Sequence, residues 1–235
     1  MNGVSAIINS KLTAISGYLV VAILLFTPTV SAAPTRLNAN DIIQALGQHY
    51  GPQAALRAKA WFNIINENSE LTDKQKLEST NNFFNLFRFI DDSQLWGDSN
   101  YWASPMEFIG VGGGDCEDFS IAKYFTLLQL GISEEKLRIT MVKATSVDQY
   151  HMVLAYYEKP NAIPLVLDNL DKQIKPATDR PDLLPAYSFN GTQLWLNKEK
   201  GKGELAGSSS RLEKWTDLKH RLGVKRLRQP KLNME

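Results

Sequence analysis

Midway along this chain the apolar pattern changes from helical to strand period, and that change limits the possible folds more than any other feature. In residues 53–68, Ala54, Ala58, Trp61, Phe62 and Ile65 recur at offsets of four, seven, eight and eleven, which aligns one apolar face at 3.6 residues per turn. Thr72 with Gln75 has the form of a capping box and predicts a helix running on through NNFFNLFRFI, with Leu77, Phe84 and Phe87 on one face. A glycine cluster then breaks any regular element, Asp115 is placed to cap, and residues 116–130 predict a further helix ended by Gly131. From Leu137 the period is two: Leu137, Ile139 and Met141 alternate with Arg138 and Thr140, and HMVLAYY and PLVLDN are short runs of strand formers. Asn190-Gly191, between two further runs, signals a hairpin. The polar run NKEKGKGELAGSSS predicts a mobile surface loop, and Ser210 with Glu213 predicts a capped final helix bearing Leu212, Trp215 and Leu222. Helices first and consecutive strands afterwards specify an α+β domain with an antiparallel sheet.

The start of the chain reads as an address. Over residues 1–34 the only charged side chain is Lys11, followed by the 13-residue apolar run AISGYLVVAILLF and then TPTVSAAP. This pattern predicts a signal peptide over residues 1–32, cleaved after Ala32. The run is short of the roughly 20 residues that span a bilayer, although flanking residues could extend it into an uncleaved anchor. The remaining residues, 33–235, are expected to form one exported, periplasmic domain with no net formal charge. A formal charge of +1 for the whole chain provides no global field for a polyanion, so no nucleic-acid partner is expected.

One cysteine, Cys116, excludes an internal disulfide, a cysteine-rich zinc site and an iron–sulfur centre. A thiol at the first turn of a helix faces free backbone N–H groups and the positive end of the macrodipole, which favour thiolate. The glycines at 112, 113 and 114 would let a substrate approach, and the Cys116 N–H could help hold an oxyanion. Of three histidines, His49 stands at a helix end and His220 in a basic tail, leaving His151, at the start of an apolar strand, as the general base. Asp168 ends the next strand and can orient the imidazole if the two strands pair. The set follows the order Cys, His, Asp at intervals of 35 and 17 residues. Hydrolysis, acyl transfer by a transglutaminase or amidase, and a non-catalytic binding protein all remain open on these residues. Asp115 and Glu117 could also meet a cation through hard oxygens, but on the residues alone plain N-capping and dipole complementation account for them.

At these residues the sequence resembles a known family. Trp102, Pro105, Glu107, the stretch GGGDCEDFSIAKYFTLLQLG, then HMVLAYY, LVLDN and the closing KWTDLKHR are similar to the bacterial transglutaminase-like cysteine proteinases. Gly114-Asp115-Cys116-Glu117-Asp118, followed by Lys123, is the most specific part. The resemblance implies a papain/transglutaminase-like fold, with Cys116 as nucleophile, His151 as base and Asp168 as orienting acid. It also implies calcium bound at Asp115 and Glu117 and needed for activity, with Asp118 a further candidate ligand. The implied substrate is a large cell-surface adhesin cut near its N-terminus at a small-residue site such as Ala-Ala. The implied regulator is an inner-membrane receptor for cyclic di-GMP that sequesters the protease.

Other features have plainer readings. The tail HRLGVKRLRQPKLNME carries five Lys or Arg between Arg221 and Lys231 and reads as solvated or membrane-near. Asn190-Gly191-Thr192 matches a glycosylation sequon, but the hairpin accounts for it. Trp96 and Trp102 either line the cleft or pack beside the cysteine helix.

Overall fold

Capping and apolar spacing shape the helical part. The computed structural model describes residues 38–198 and 202–232, so the leader expected over residues 1–32 lies outside the described residues. Helix α1 (Ala39–Tyr50) opens at Asn38, whose side-chain oxygen accepts the Asn40 N–H at 2.6 Å. Gly51, at φ 101°, turns the chain directly into α2 (Pro52–Glu67), whose first residue is proline. α2 buries Ala54, Ala58 and Trp61 on the face set by the spacing, while Phe62 and Ile65 are partly covered. α3 (Asp73–Phe84) carries the expected box: Thr72 Oγ1 accepts the Gln75 N–H at 3.4 Å and Gln75 Oε1 accepts the Thr72 N–H at 3.2 Å.

α3 stops at Phe84 and does not run on through Ile90. Asn85 caps it and turns its carboxamide inward, and Arg88–Phe89 form a short strand, β1. α4 (Asp92–Leu95) and α5 (Pro105–Val111) follow, and then β2 (Gly113–Gly114), which pairs in parallel with β1. α5 was not anticipated, yet its start obeys the same rule as α3: Ser104 Oγ accepts the Glu107 N–H at 3.3 Å and Glu107 Oε2 accepts the Ser104 N–H at 2.7 Å.

α6 (Cys116–Gln129) is the central helix, and Gly131 beyond it takes the left-handed φ of 83° expected of a helix end. Phe119 and Ala122 on α6 join the core of α1, α2 and α5, whereas Ile121, Tyr124 and Leu127 join the core over the sheet. Buried on both sides, α6 cannot shift without disturbing two cores.

The strands are β3 (Leu137–Ala144), β4 (Gln149–Tyr156), β5 (Leu165–Leu167), β6 (Lys175–Pro176), β7 (Leu183–Phe189), β8 (Gln193–Lys198) and β9 (Lys202–Ser208). They form one sheet in the order β6-β5-β4-β3-β7-β8-β9, with every neighbouring pair antiparallel. The Asn190-Gly191 hairpin forms, but not through left-handed turn residues. Phe189 pairs with Leu194, and the Asn190 side-chain oxygen accepts the N–H groups of Thr192 at 3.1 Å and Gln193 at 2.8 Å.

Three C-terminal expectations are corrected. Part of the polar run is a strand: β9 pairs with β8 through a register shift between Leu194 and Trp195. Ser210 does not cap the last helix, α7 (Glu213–His220); its N–H goes to Ser208 Oγ instead, and Leu212 takes the cap position. α7 buries Trp215 and Leu218, while Leu222 lies beyond it, 43% exposed.

The tail is not free in solvent. Arg221 Nη1 meets the fully buried Glu107 at Oε2, 3.1 Å, and the Arg228 N–H donates to Glu107 Oε1 at 3.0 Å. Both guanidinium groups stack on the Tyr101 ring, 4.5 and 4.4 Å from its centroid. Further along, Tyr50 Oη donates to the Arg228 carbonyl at 2.8 Å, and the Lys231 N–H donates to the Leu95 carbonyl at 2.7 Å. Two of its five basic residues, Arg221 and Arg228, thus bind an internal acid and ring, while Lys225, Arg226 and Lys231 are exposed. Among the described residues no helix is long and apolar enough to cross a membrane.

Candidate active site

The cysteine is placed by the glycines before it, each for a different reason. Gly112 ends α5 in the left-handed conformation, φ 85°. A Cβ on Gly113 would collide with the Arg88 carbonyl, and one on Gly114 with the Asp118 carboxylate. Gly113 and Gly114 are buried, so they make room for the protein's own β1 and Asp118, and not for an approaching substrate. Asp115 follows with extended backbone as N-cap, and Cys116 is the first residue of α6. Its N–H therefore has no acceptor within the helix.

Pairing of β4 with β5 puts the next two residues together. Leu154 opposes Leu167, so Asp168, one step further, reaches back toward His151. His151 Nε2 lies 2.7 Å from Asp168 Oδ1, both nearly fully buried. Ser120 Oγ, on α6, lies 2.9 Å from the Met152 carbonyl and 3.0 Å from the Cys116 carbonyl, tying the cysteine helix to the histidine strand. Cys116 and His151 face one cleft of about 500 Å³, walled by Trp102, Met141 and Tyr187. Trp102 stacks on Phe189 in that wall, whereas Trp96 is buried in the helical core.

Asp168 is held from several directions. Arg180 Nη1 lies 2.9 Å from Asp168 Oδ2, and the same guanidinium grips Asp182 through Nε at 3.0 Å and Nη2 at 2.9 Å. The Leu170 N–H donates to Asp168 Oδ1 at 3.0 Å. Burial opposes ionisation of Asp168, but His151, the Leu170 N–H and Arg180 outweigh it and hold the carboxyl down at about 2. The backbone carbonyl of Asp168 accepts Asn85 Nδ2 at 2.9 Å and Lys123 Nζ at 3.0 Å.

Around the thiol the charges are unfavourable. Cys116 Sγ donates to Glu117 Oε2 at 3.1 Å, and burial followed by the charges of Glu117 and Asp115 pushes the thiol above its ordinary range. Burial first, and the flanking carboxylates after it, work against the thiolate-favouring setting expected from position alone. Asp115 is pushed up to about 11, first by burial and then by Asp118, Glu117 and Asp92. Burial also raises Asp118 and takes Asp92 to about 7.

Among the described residues two overlapping groups emerge, each with ligand atoms within 4.8 Å of one another: Asp115, Cys116 and Glu117, and the deeper Asp92, Asp115 and Asp118. Asp92 Oδ1 and Asp115 Oδ1 are buried without a hydrogen-bond partner. Asp118 is fully buried but anchored, accepting the Ala103 N–H at 2.7 Å and the Asp115 N–H at 3.4 Å. Crowded, orphaned carboxylate oxygens fit a hard cation. The expected pair Asp115 and Glu117 is thus brought together, Asp118 joins it, and Asp92 is an addition that the sequence did not signal. Nor did any motif single out Arg180.

A thiol at a helix N-terminus with an imidazole–carboxylate pair on the adjoining strands, on this mixed scaffold, defines the papain- and transglutaminase-like class of thiol enzymes. The profile of the bacterial transglutaminase-like cysteine proteinases (BTLCP) matches residues 57–200, and the chain belongs to that family. It is a cysteine protease, which decides among the three classes left open by the residues alone. Its fold is similar to that of LapG from Legionella pneumophila. The EGTA-treated form is 41% identical with a TM-score of 0.71, covering 80% of this chain and 98% of that one. The calcium-bound form is 43% identical with a TM-score of 0.69, covering 80% and 100%. No curated protein matches the chain.

Proposed function

We propose that this protein is a calcium-dependent periplasmic endopeptidase with Cys116 as nucleophile, His151 as acid–base and Asp168 as orienting acid. The observation that carries the reading is the 2.7 Å contact of His151 Nε2 with Asp168 Oδ1 beside a helix-terminal cysteine in one cleft. With Nε2 engaged, Nδ1 is the ring nitrogen left to take the thiol proton. The thiolate attacks a peptide carbonyl, and the Cys116 N–H supports the oxyanion. The C–N bond breaks as the imidazolium protonates the leaving amine, leaving a thioester on Cys116. Water then attacks the thioester with its proton going to His151, releasing the acid and restoring the thiol.

Asp115, Glu117, Asp118 and Asp92 would hold the calcium ion, supported by the orphaned oxygens of Asp92 and Asp115 and by the calcium-bound form of the similar LapG. When bound, the ion would take up the negative charge that now raises the Cys116 thiol. Family membership supports the finer reading of the substrate as a large surface adhesin, cut near its N-terminus at a site such as Ala-Ala and so released from the cell. It likewise supports control by an inner-membrane cyclic di-GMP receptor of the LapD type.

The test incubates wild type and Cys116→Ala with the adhesins of the source organism, with calcium or with chelator. A discrete fragment is expected only with wild type and calcium, and equilibrium dialysis should show calcium uptake that Asp115→Ala or Asp92→Ala abolishes. A fragment from Cys116→Ala, or uptake unaffected by both substitutions, refutes the assignment.

A further inference from the structure

Lys123 is a charged side chain where the core would accept an apolar one. It lies on α6, seven residues after Cys116, and is 1% exposed. Its Nζ donates to Asn81 Oδ1 at 2.9 Å, Asn85 Oδ1 at 2.9 Å and the Asp168 carbonyl at 3.0 Å. Three acceptors match the three donors of an ammonium, whereas a neutral amine has only two. Burial pulls Lys123 down to about 7, with the Asp168 charge opposing. A buried cation held by neutral acceptors is weak evidence for stability, because an apolar side chain of similar volume commonly serves as well.

What the ammonium does distinctively is connect three segments. Asn81 and Asn85 belong to the end of α3, and both also reach the chain after β5: Asn85 Nδ2 donates to the Asp168 carbonyl at 2.9 Å and Asn81 Nδ2 to the Lys172 carbonyl at 2.8 Å. The carboxylate of Asp168 is held on one side by His151 and Arg180, and its backbone on the other by Lys123 and Asn85. The helix that presents the thiol therefore grips directly the backbone of the residue that orients the imidazole.

We propose that Lys123 is a positioning residue that fixes Asp168 relative to the Cys116 helix, keeping thiol, imidazole and carboxylate in register. The proposal rests on Cys116, His151 and Asp168 being the reacting set. Displacements near 1 Å in such a set cost about 100-fold in rate.

Because Cys116 is the sole thiol, iodoacetamide alkylation of the calcium-supplemented full chain reads its activation without a protein substrate. Lys123→Met should slow alkylation about 10-fold or more, toward the rate of Asp168→Ala, once corrected for folded fraction by circular dichroism. On a cleaved adhesin kcat should fall about 10- to 100-fold with KM within about 3-fold. A folded Lys123→Met with alkylation and kcat within about 2-fold of wild type overturns the proposal. Should that variant fail to fold, Asn85→Ala, which removes bonds to both Lys123 and Asp168, must slow alkylation more than Asn81→Ala. Equal rates overturn the proposal. A wild-type Cys116 no faster than a free thiol removes the catalytic assignment itself and this inference with it, an outcome distinct from fast wild type with unaffected variants.

Discussion

At Asp168 burial and pairing pull in opposite directions, and pairing wins. Its carboxyl is lowered to about 2 from an ordinary value near 4, so its ionised form stabilises the fold at neutral pH. That contribution stands above about pH 4 and is lost as pH falls toward 2. Arg180→Met removes one of its partners, which raises the carboxyl and starts acid unfolding at a higher pH. The cost at pH 7 should fall near the lower end of the roughly 3–5 kcal/mol typical of breaking a buried pair, since His151 and the Leu170 N–H remain. Urea unfolding at pH 7 and a circular dichroism titration from pH 7 to 2 measure both; a variant that unfolds at the wild-type pH contradicts the assigned role. Scarcity made the proposed reacting residues easy to pick out: one cysteine and three histidines leave few combinations. Arg180 and Asp92 were not legible, and Lys123 was legible only as part of the family motif and not by its contacts, because aspartate, lysine and arginine are common and these act through contacts made only when distant segments fold together.

Among the elements, those written in local rules were readable and those created by pairing were not. The Thr72 box and the Gly131 helix end appear as spelled. Ser104-Pro105-Met106-Glu107 spelled the start of α5 equally well, so that helix was legible though unread. By contrast, α3 stops at Phe84 because Asn85 and Arg88 find partners far along the chain, and β9 forms from a polar, glycine-containing run because β8 supplies its hydrogen bonds. Gly113 shows what such pairing demands. Its missing Cβ admits the Arg88 carbonyl, a backbone atom that cannot swing away. Gly113→Ala should therefore cost about 1–3 kcal/mol in urea unfolding and lower the alkylation rate of Cys116, three residues on. An alanine variant of wild-type stability would show that β1 yields freely.

For the molecule as a whole, the tail unites the helical layer. Glu107 lies beneath it, fully buried, receiving Tyr101 Oη at 2.7 Å and groups from Arg221 and Arg228. Glu107→Gln and truncation after Gly223 should both destabilise and should be non-additive, with a coupling of about 0.5–3 kcal/mol in a double-mutant cycle. Additive losses would separate tail from acid. The sequence displayed the tail's charge but not its destination, since a basic run is compatible with water, lipid or an internal carboxylate until the chain has folded. The edges of the sheet carry a last consequence. One edge is only Lys175–Pro176, where proline has no N–H to offer, and at the other β9 is bulged against β8. Among the described residues the first edge is too short, and the second too interrupted by its register shift, to present a long flat row of peptide groups, which disfavours lengthening of the sheet by an incoming polypeptide. Recognition is then expected to rest on the side chains that line the cleft, so that substitutions in that wall should alter specificity while the sheet is left alone.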